Sequence, residues 1–487
     1  MNIKTGIARD ANINICLESA ISDDNVVRLI DAFVEAMDLE ELQFTKTKPK
    51  KEGCPIYHAK AMLKLFYYGY FNRIRSSRKL EAECLRNIEV WWLIHQLKPG
   101  YHTIADFRKD NASCLPKAFK MFVSFLKGED VFGKELLTVD GTKIRAQNNK
   151  RNNFNGQKLQ KHLKYIEGKT EQYIKELEEF DAQEDKQETE AQRKELEKNL
   201  EIQQERKTKY AELQEELKKS GSPQISTVDS DSRSLPIKDR ITNVCFNVQA
   251  VVDSKHRIIV EPDTINTTDQ GQLSPMLRRA MQTLDVTEIT ALADKGYHVG
   301  KDLSECKEQN IITVVAHPER NNKNIDPAYQ TSEFAYNKEQ DCYSCPQGAI
   351  LRSNGNEYEK TKEGRAAYFV KKYVTDQCLA CMAKLLCTKA KSREIERSQY
   401  QDVIDENNKR VDKNPKLYKL RQQIIEHIFG TVKRSWGYTY TLLKGIKKVN
   451  GEMAIVFTMY NLRRAMSIFG VKELIQRLKQ WKPDYKG

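Results

Sequence analysis

The chain has 487 residues and a formal net charge of +13, more than one ordinary domain holds without insertions. No apolar run approaches the roughly 20 residues that span a bilayer, and the opening MNIKTGIARDANINIC lacks the basic-then-apolar order of a signal peptide; a cytoplasmic protein with no membrane partner is expected. The 11 cysteines would stay reduced there, which argues against a disulfide framework, and the excess of Lys and Arg favours a polyanionic partner through counterion release from phosphates.

Residues 1–130 read as a helical DNA-binding domain. Tyr57 to Asn87 carries apolar residues at helical spacing, broken near Arg73–Ser77, with Ser77 placed to cap a second helix. Lys60, Lys64, Arg73, Arg75, Arg78 and Lys79 surround the break, as in a DNA-binding helix pair, although a solvated basic face on an ordinary bundle has the same pattern. The segment 131–155 opens a second unit with KELLTVDGTKIRA, an apolar strand ending in Asp140-Gly141-Thr142. From 156 to 222 the composition turns to Glu, Lys and Gln. Leu159, Leu163, Ile166, Thr170, Tyr173, Leu177 and Phe180 alternate four and three apart, a coiled-coil seam. A polar stretch at 181–190 turns the chain into an antiparallel hairpin, or else one long helix runs through.

Strand patterns resume over 223–318. Asn243 to Asp253 alternates, HRIIVEPDTIN follows across a tight turn, a helix fits Gln270 to Leu284, EITALADKGY ends an apolar strand at Asp294, and IITVVAHP is another buried type. Residues 319–413 look irregular and Cys-rich. The last segment, 414–487, holds the amphipathic stretch Leu417 to Val432 and a further helix from about Gly451 to Met466.

With the two insertions removed, the order is three strands, helix, strand, helix, strand, and a final helix. That is the order of an RNase H-like mixed-sheet α/β core, in which the first and fourth strands are neighbours. Asp140 and Asp294 would then meet, and a helix across the sheet would bring in Glu426. Three carboxylates suit Mg²⁺, a hard cation that prefers oxygen. Two such ions about 4 Å apart serve phosphodiester chemistry. Each acidic residue alone is more simply a turn or surface residue, and Asp140-Gly141 is an ordinary turn signal; the case for chemistry is their joint placement.

These residues also carry a resemblance. Val139-Asp140-Gly141-Thr142, Ala293 to Tyr297 and Glu426 to Lys433 resemble the DDE transposases of bacterial insertion sequences, specifically the group with a Tyr–Arg–Glu–Lys signature around the glutamate. NVQAVVD, TDQGQLSPML, YHAKAMLKLFYYGYFN and HTIADFRKDN are similar to that group too. The resemblance implies cleavage at transposon ends and strand transfer, with Asp140 bridging two Mg²⁺ ions (Mn²⁺ substituting) and Asp294 and Glu426 each completing one site. It implies that Lys433 holds a phosphate of double-stranded DNA at the transposon end, and that Tyr418 and Arg421 are the signature Tyr and Arg. The Arg421-to-Glu426 spacing is one residue longer than the signature's. Bringing two ends together calls for at least a dimer on DNA, in the bacterial nucleoid. The alternatives are a nuclease that does not join, a coiled-coil assembly protein with an incidental basic surface, and a catalytically inactive, transposase-derived DNA-binding protein. Trp436 and Tyr438 are candidates to hold a flipped nucleotide, though a Trp after a helix is more often core.

The cysteines form a separate pattern. Cys342-x-x-Cys345 and Cys378-x-x-Cys381 match a closed structural Zn²⁺ site, with Cys387 as a substitute ligand; reduced, partly buried thiols are the plainer alternative. The related transposases with a Cys-rich insertion add support for zinc.

Overall fold

The computed structural model describes residues 10, 14–48, 55–181, 187–238, 241–318, 325–362 and 365–485. Its main sheet contains β1 (Leu136–Arg145), β2 (Arg233–Lys238), β3 (Ile241–Asp253), β4 (Ile258–Ile265), β5 (Ile289–Ala293) and β6 (Ile311–Val315). The strand order is β2–β3–β1–β5–β6, and β4 shares the outer edge of β3 with β2. β3 runs antiparallel to β1, with Gly141 opposite Gln249 and Lys143 opposite Asn247. β5 is parallel to β1 and β6 is parallel to β5. The sequence explains this division: β5 and β6 are short, mostly buried apolar runs (ITALA and IITVV), the pattern of parallel strands whose faces are covered. β2 has no alternating apolar face and went unread in the sequence.

Helices α1 (Ala59–Phe71), α2 (Ser77–Arg86), α3 (Tyr101–Asp110) and α4 (Leu115–Gly128) precede the sheet. They do not form a separately cored unit. The long helix Ile446–Phe469 is buried on nearly every side, as its apolar residues all round require. It packs on α4 and β4 at once, and Asn461 on it exchanges hydrogen bonds with both backbone groups of Ile259. One hydrophobic core therefore runs from the N-terminal helices into the sheet.

Two insertions leave this core. Helices α5 (Gly156–Asp181) and α6 (Gln187–Ser220) pack side by side. His162 stacks on Tyr210 at 4.8 Å, and Glu167 lies 4.0 Å from Lys207. Later residues of α5 thus face earlier residues of α6, the antiparallel alternative of the two read from the sequence. The turn at 182–186 and the side chain of Phe180 lie outside the described residues. At the base, Phe154, Leu159, Leu213 and Ile225 form a small core.

The second insertion, expected to be irregular, is a five-stranded antiparallel sheet of Ala335–Asn337, Cys342–Ser344, Ile350–Lys362, Arg365–Val374 and Ile395–Ser398. Its longest strand reads ILRSNGNEYEKTK. With polar residues on both faces, that strand shows no period-two apolar signal. Helix α7 (Gln401–Lys413) follows. The sequence placed it inside the insertion, yet Asn407 pairs with the N–H and C=O of Val315, so it covers the main sheet. Among the described residues no helix is long and apolar enough to cross a membrane.

Candidate active site

Parallel pairing of β1 and β5 matches Leu136 with Thr290 and Thr138 with Leu292. Asp140 and Asp294 each stand two residues beyond the last of these pairs, on adjacent strands, so the sheet register brings them together. Asp294 begins a 3₁₀ turn, Lys295–Tyr297, and accepts a 2.7 Å hydrogen bond from the Gly296 amide. Asp140 accepts one of 2.7 Å from Gly141. Burial pushes the Asp140 carboxyl up to about 7; Arg421 opposes this, and the nearby Asp294 and Asp269 add to it.

The glutamate arrives on a helical segment of four parts: Pro415–Arg421, a π-helical turn Gln422–Glu426, His427–Gly430, and a second π turn Thr431–Ser435. In an α-helix, residues five apart point about 140° away from each other. The wider π turn takes up the extra residue, a device often found at functional sites, and carries Glu426 round to Arg421. The guanidinium bridges the two carboxylates, 3.0 Å from Asp140 Oδ2 and 3.1 Å from Glu426 Oε1. Burial works against the Arg421 charge, but Asp140, Tyr418, Asp294 and Glu426 outweigh it and raise its proton affinity. Its centre lies 5.8 Å from the Tyr418 ring. The segment is fastened beyond its end, where Thr439 and Thr441 exchange backbone hydrogen bonds with Arg145 at the end of β1.

A fourth carboxylate, Asp269, escaped the sequence reading. It sits in the loop after β4. Its oxygens accept from Lys143 Nζ (3.1 Å to each), Asn247 Nδ2 (2.8 Å) and Gln249 Nε2 (2.8 Å). The Gln249 carbonyl in turn accepts from the hydroxyl of buried Tyr297. Two glycines clear the space. A Cβ on Gly141 would lie 2.2 Å from Gln249 Nε2 and 2.6 Å from Asp269 Oδ1, and one on Gly296 would lie 2.9 Å from Asp294 Oδ1 and 3.3 Å from Asp269 Oδ2. The glycines near each aspartate were the available signal, together with the TDQGQ segment itself.

Lys433 extends its ammonium to Thr142 Oγ1 (3.1 Å) and the Lys143 carbonyl (3.0 Å); burial lowers its pKa. The other predicted DNA-binding cations divide. Lys64 is buried between Asp31 and Glu35, and Lys60 pairs with Glu35 at 2.9 Å. Lys64 is buried and Lys60 partly exposed, and both hold acidic partners. Arg75 is likewise internal, lying over the Tyr438 and Tyr440 rings and donating to the Tyr440 carbonyl. Arg73, Arg78 and Lys79 are exposed around the α1–α2 turn. Trp436 and Tyr438 are buried, with Tyr438 stacked on Tyr70, so neither is free to hold a flipped base.

Cys345, Cys378, Cys381 and Cys387 line one small cavity in the second sheet. The Ala349 amide donates to Cys345 Sγ at 3.3 Å. Burial raises the Cys387 pKa, and the neighbouring Cys378, Cys345 and Cys381 add to it. Cys342 is turned elsewhere, buried with its thiol toward Gln340. Among the described residues, no three His, Cys, Asp or Glu side chains are gathered tightly enough to hold a metal ion as they stand. The donor chemistry is nonetheless suited to one. Asp140, Asp294 and Glu426 offer hard oxygens, and their crowded negative charge is met by a bridging guanidinium.

The geometry defines an acidic centre beside adjacent parallel strands of a mixed sheet, with a basic helical segment against it. Comparison with known families gives this a narrower meaning. A transposase domain (DUF772) matches residues 15–110, and a transposase DDE domain matches residues 344–466. Together they support a DDE transposase. The second match contains Arg421, Glu426 and Lys433, whereas Asp140 and Asp294 lie outside both. No curated protein and no solved structure matches the chain.

Proposed function

We propose that the chain is the transposase of an insertion sequence, which binds the element's terminal inverted repeats and performs DNA cleavage and strand transfer with Asp140, Asp294 and Glu426. The observation that carries this reading is the placing of Asp140, midway along β1, and Asp294, just beyond β5, on adjacent parallel strands, with Glu426 brought by a π turn to the guanidinium that also holds Asp140. The strand order supports an RNase H-like core. Asp140, Asp294 and Glu426 would together hold the two Mg²⁺ ions, whose hard charge their oxygens suit. When bound, the ions supply an activated attacking hydroxyl and a stabilised leaving oxygen. Arg421 pairs with Asp140 and Glu426, and it is assigned, with Tyr418, to contacts with DNA. Lys433 offers an ammonium to a phosphate beside β1, while Arg73, Arg78 and Lys79 extend a basic surface along the α1–α2 turn. Two chains act on paired ends, with the α5–α6 hairpin as their contact.

The test is cleavage of labelled duplexes bearing the DNA that flanks this gene, with Mg²⁺ or a chelator, in the parent and in Asp294→Asn. Metal-dependent cuts at the ends and joined products are expected from the parent, and binding without cuts from the variant. A parent that binds but never cuts would instead be a DNA-binding regulator. The same gels report assembly: complexes holding only one end would remove the dimer.

We further propose that Cys345, Cys378, Cys381 and Cys387 hold a structural Zn²⁺. Their shared cavity supports this, as does the small apolar core around it, of Phe334, Tyr343, Leu351, Tyr373 and Ile395. Metal analysis should find stoichiometric zinc in the parent and in Cys342→Ser, and none in Cys345→Ser. A zinc-free parent rules the site out.

A further inference from the structure

Asp269 has more partners than a surface loop residue needs. Its carboxylate receives an ammonium from β1 and two side-chain amides from β3, and its own carbonyl accepts from Gln272 at 3.2 Å. The loop is fixed from behind by Asp302, whose carboxylate accepts from the Leu273 amide. The backbone around it also adjoins the proposed catalytic set. Gly141 follows Asp140, Gly296 donates to Asp294, and the Lys143 carbonyl receives Lys433. An ion pair serving stability alone would be worth little at such a partly open position and would not need both glycines.

We propose that Asp269 is a positioning residue of the metal centre, holding the Lys143 ammonium away from the catalytic carboxylates and adding fixed negative charge beside Asp294. The inference rests on the metal-dependent reading above. Asp269 coordinates no metal itself; it acts through Lys143 and through the field at the neighbouring carboxylates. With Asp269 neutralised, the Lys143 ammonium loses its counter-charge and competes with a divalent cation for Asp140 and Asp294.

The test is Mn²⁺ binding to the full chain, followed by the electron paramagnetic resonance signal of the free ion. It compares the parent, Asp294→Asn, Asp269→Asn, and Asp269→Asn combined with Lys143→Met. Binding dependent on Asp294 is expected in the parent. Asp269→Asn should weaken it by about 10- to 100-fold, the range for groups that orient metal ligands. Removing the unpaired ammonium in the double variant should recover most of that loss, a rescue that a merely structural role would not give. Parent affinity in Asp269→Asn, or no recovery in the double variant, overturns the proposal. If Asp269→Asn alone does not fold, the double variant decides: affinity within about tenfold of the parent sustains the proposal, and a greater loss overturns it. A parent lacking Asp294-dependent binding defeats the catalytic reading itself, a result distinct from any of these.

Discussion

Asp302 shows how one buried carboxyl couples the loop that carries Asp269 to pH. It is 4% exposed, and burial pushes its pKa up to about 6, against hydrogen bonds from the amides of Leu273, Ser274 and Gly271. The folded chain thus keeps a proton that the unfolded chain releases near pH 4. The stability this contributes is complete below about pH 4 and is lost as pH rises through about 6, at most about 3 kcal/mol. Denaturant unfolding of the parent and Asp302→Asn should show their difference shrinking by up to that amount from pH 4 to 7. A pH-independent difference would contradict the assignment. At this scale the sequence was legible in part. Asp140 and Asp294 stood out because each follows an apolar strand run, and Glu426 because it stands within the amphipathic stretch Leu417 to Val432. Asp269 lies in a loop without periodicity, and its partners lie far apart in sequence. Only the register that sets Gly141 opposite Gln249 and Lys143 opposite Asn247 gathers them.

Among the elements, the π turn at Gln422–Glu426 carries one residue more than an α-helical turn. The extra residue is accommodated by a wider turn, so Arg421 and Glu426 still meet. Deleting the exposed Gln423 should convert that turn to α-helix and leave the pair four apart, on one face. Thermal unfolding is expected to stay within a few degrees of the parent, about the effect of 1 kcal/mol or less. Deleting Lys409 from α7, which has no such slack, should displace Asn407 from Val315 and cost more. Equal losses from the two deletions would refute the slack. Helix content was readable from apolar spacing except in α7, which falls in the stretch that looked irregular. The sheet at 335–398 was not, because its strands are largely exposed on both sides and its buried residues are few.

The whole molecule holds together more tightly than its sequence segments suggested. Residues 1–130 looked like an independent domain because their helices are self-consistent in pattern. Their apolar faces are nonetheless shared with Ile446–Phe469, a helix more than 300 positions later in the chain, and local periodicity carries no information about such partners. A basic surface on these helices is consequently held in fixed relation to the carboxylates.

The α5–α6 hairpin offers the opposite case. It leaves and re-enters the body through a two-stranded ladder in which Asn153 faces Ser226 and Phe154 faces Ile225, so its two roots are about 5 Å apart. Such a junction works as a port: what is plugged into it can change in length without pulling on β1 or β2. An insertion joined in this way can vary in length while the main sheet stays put, and it is the natural place to graft a fluorescent or affinity module for following individual molecules.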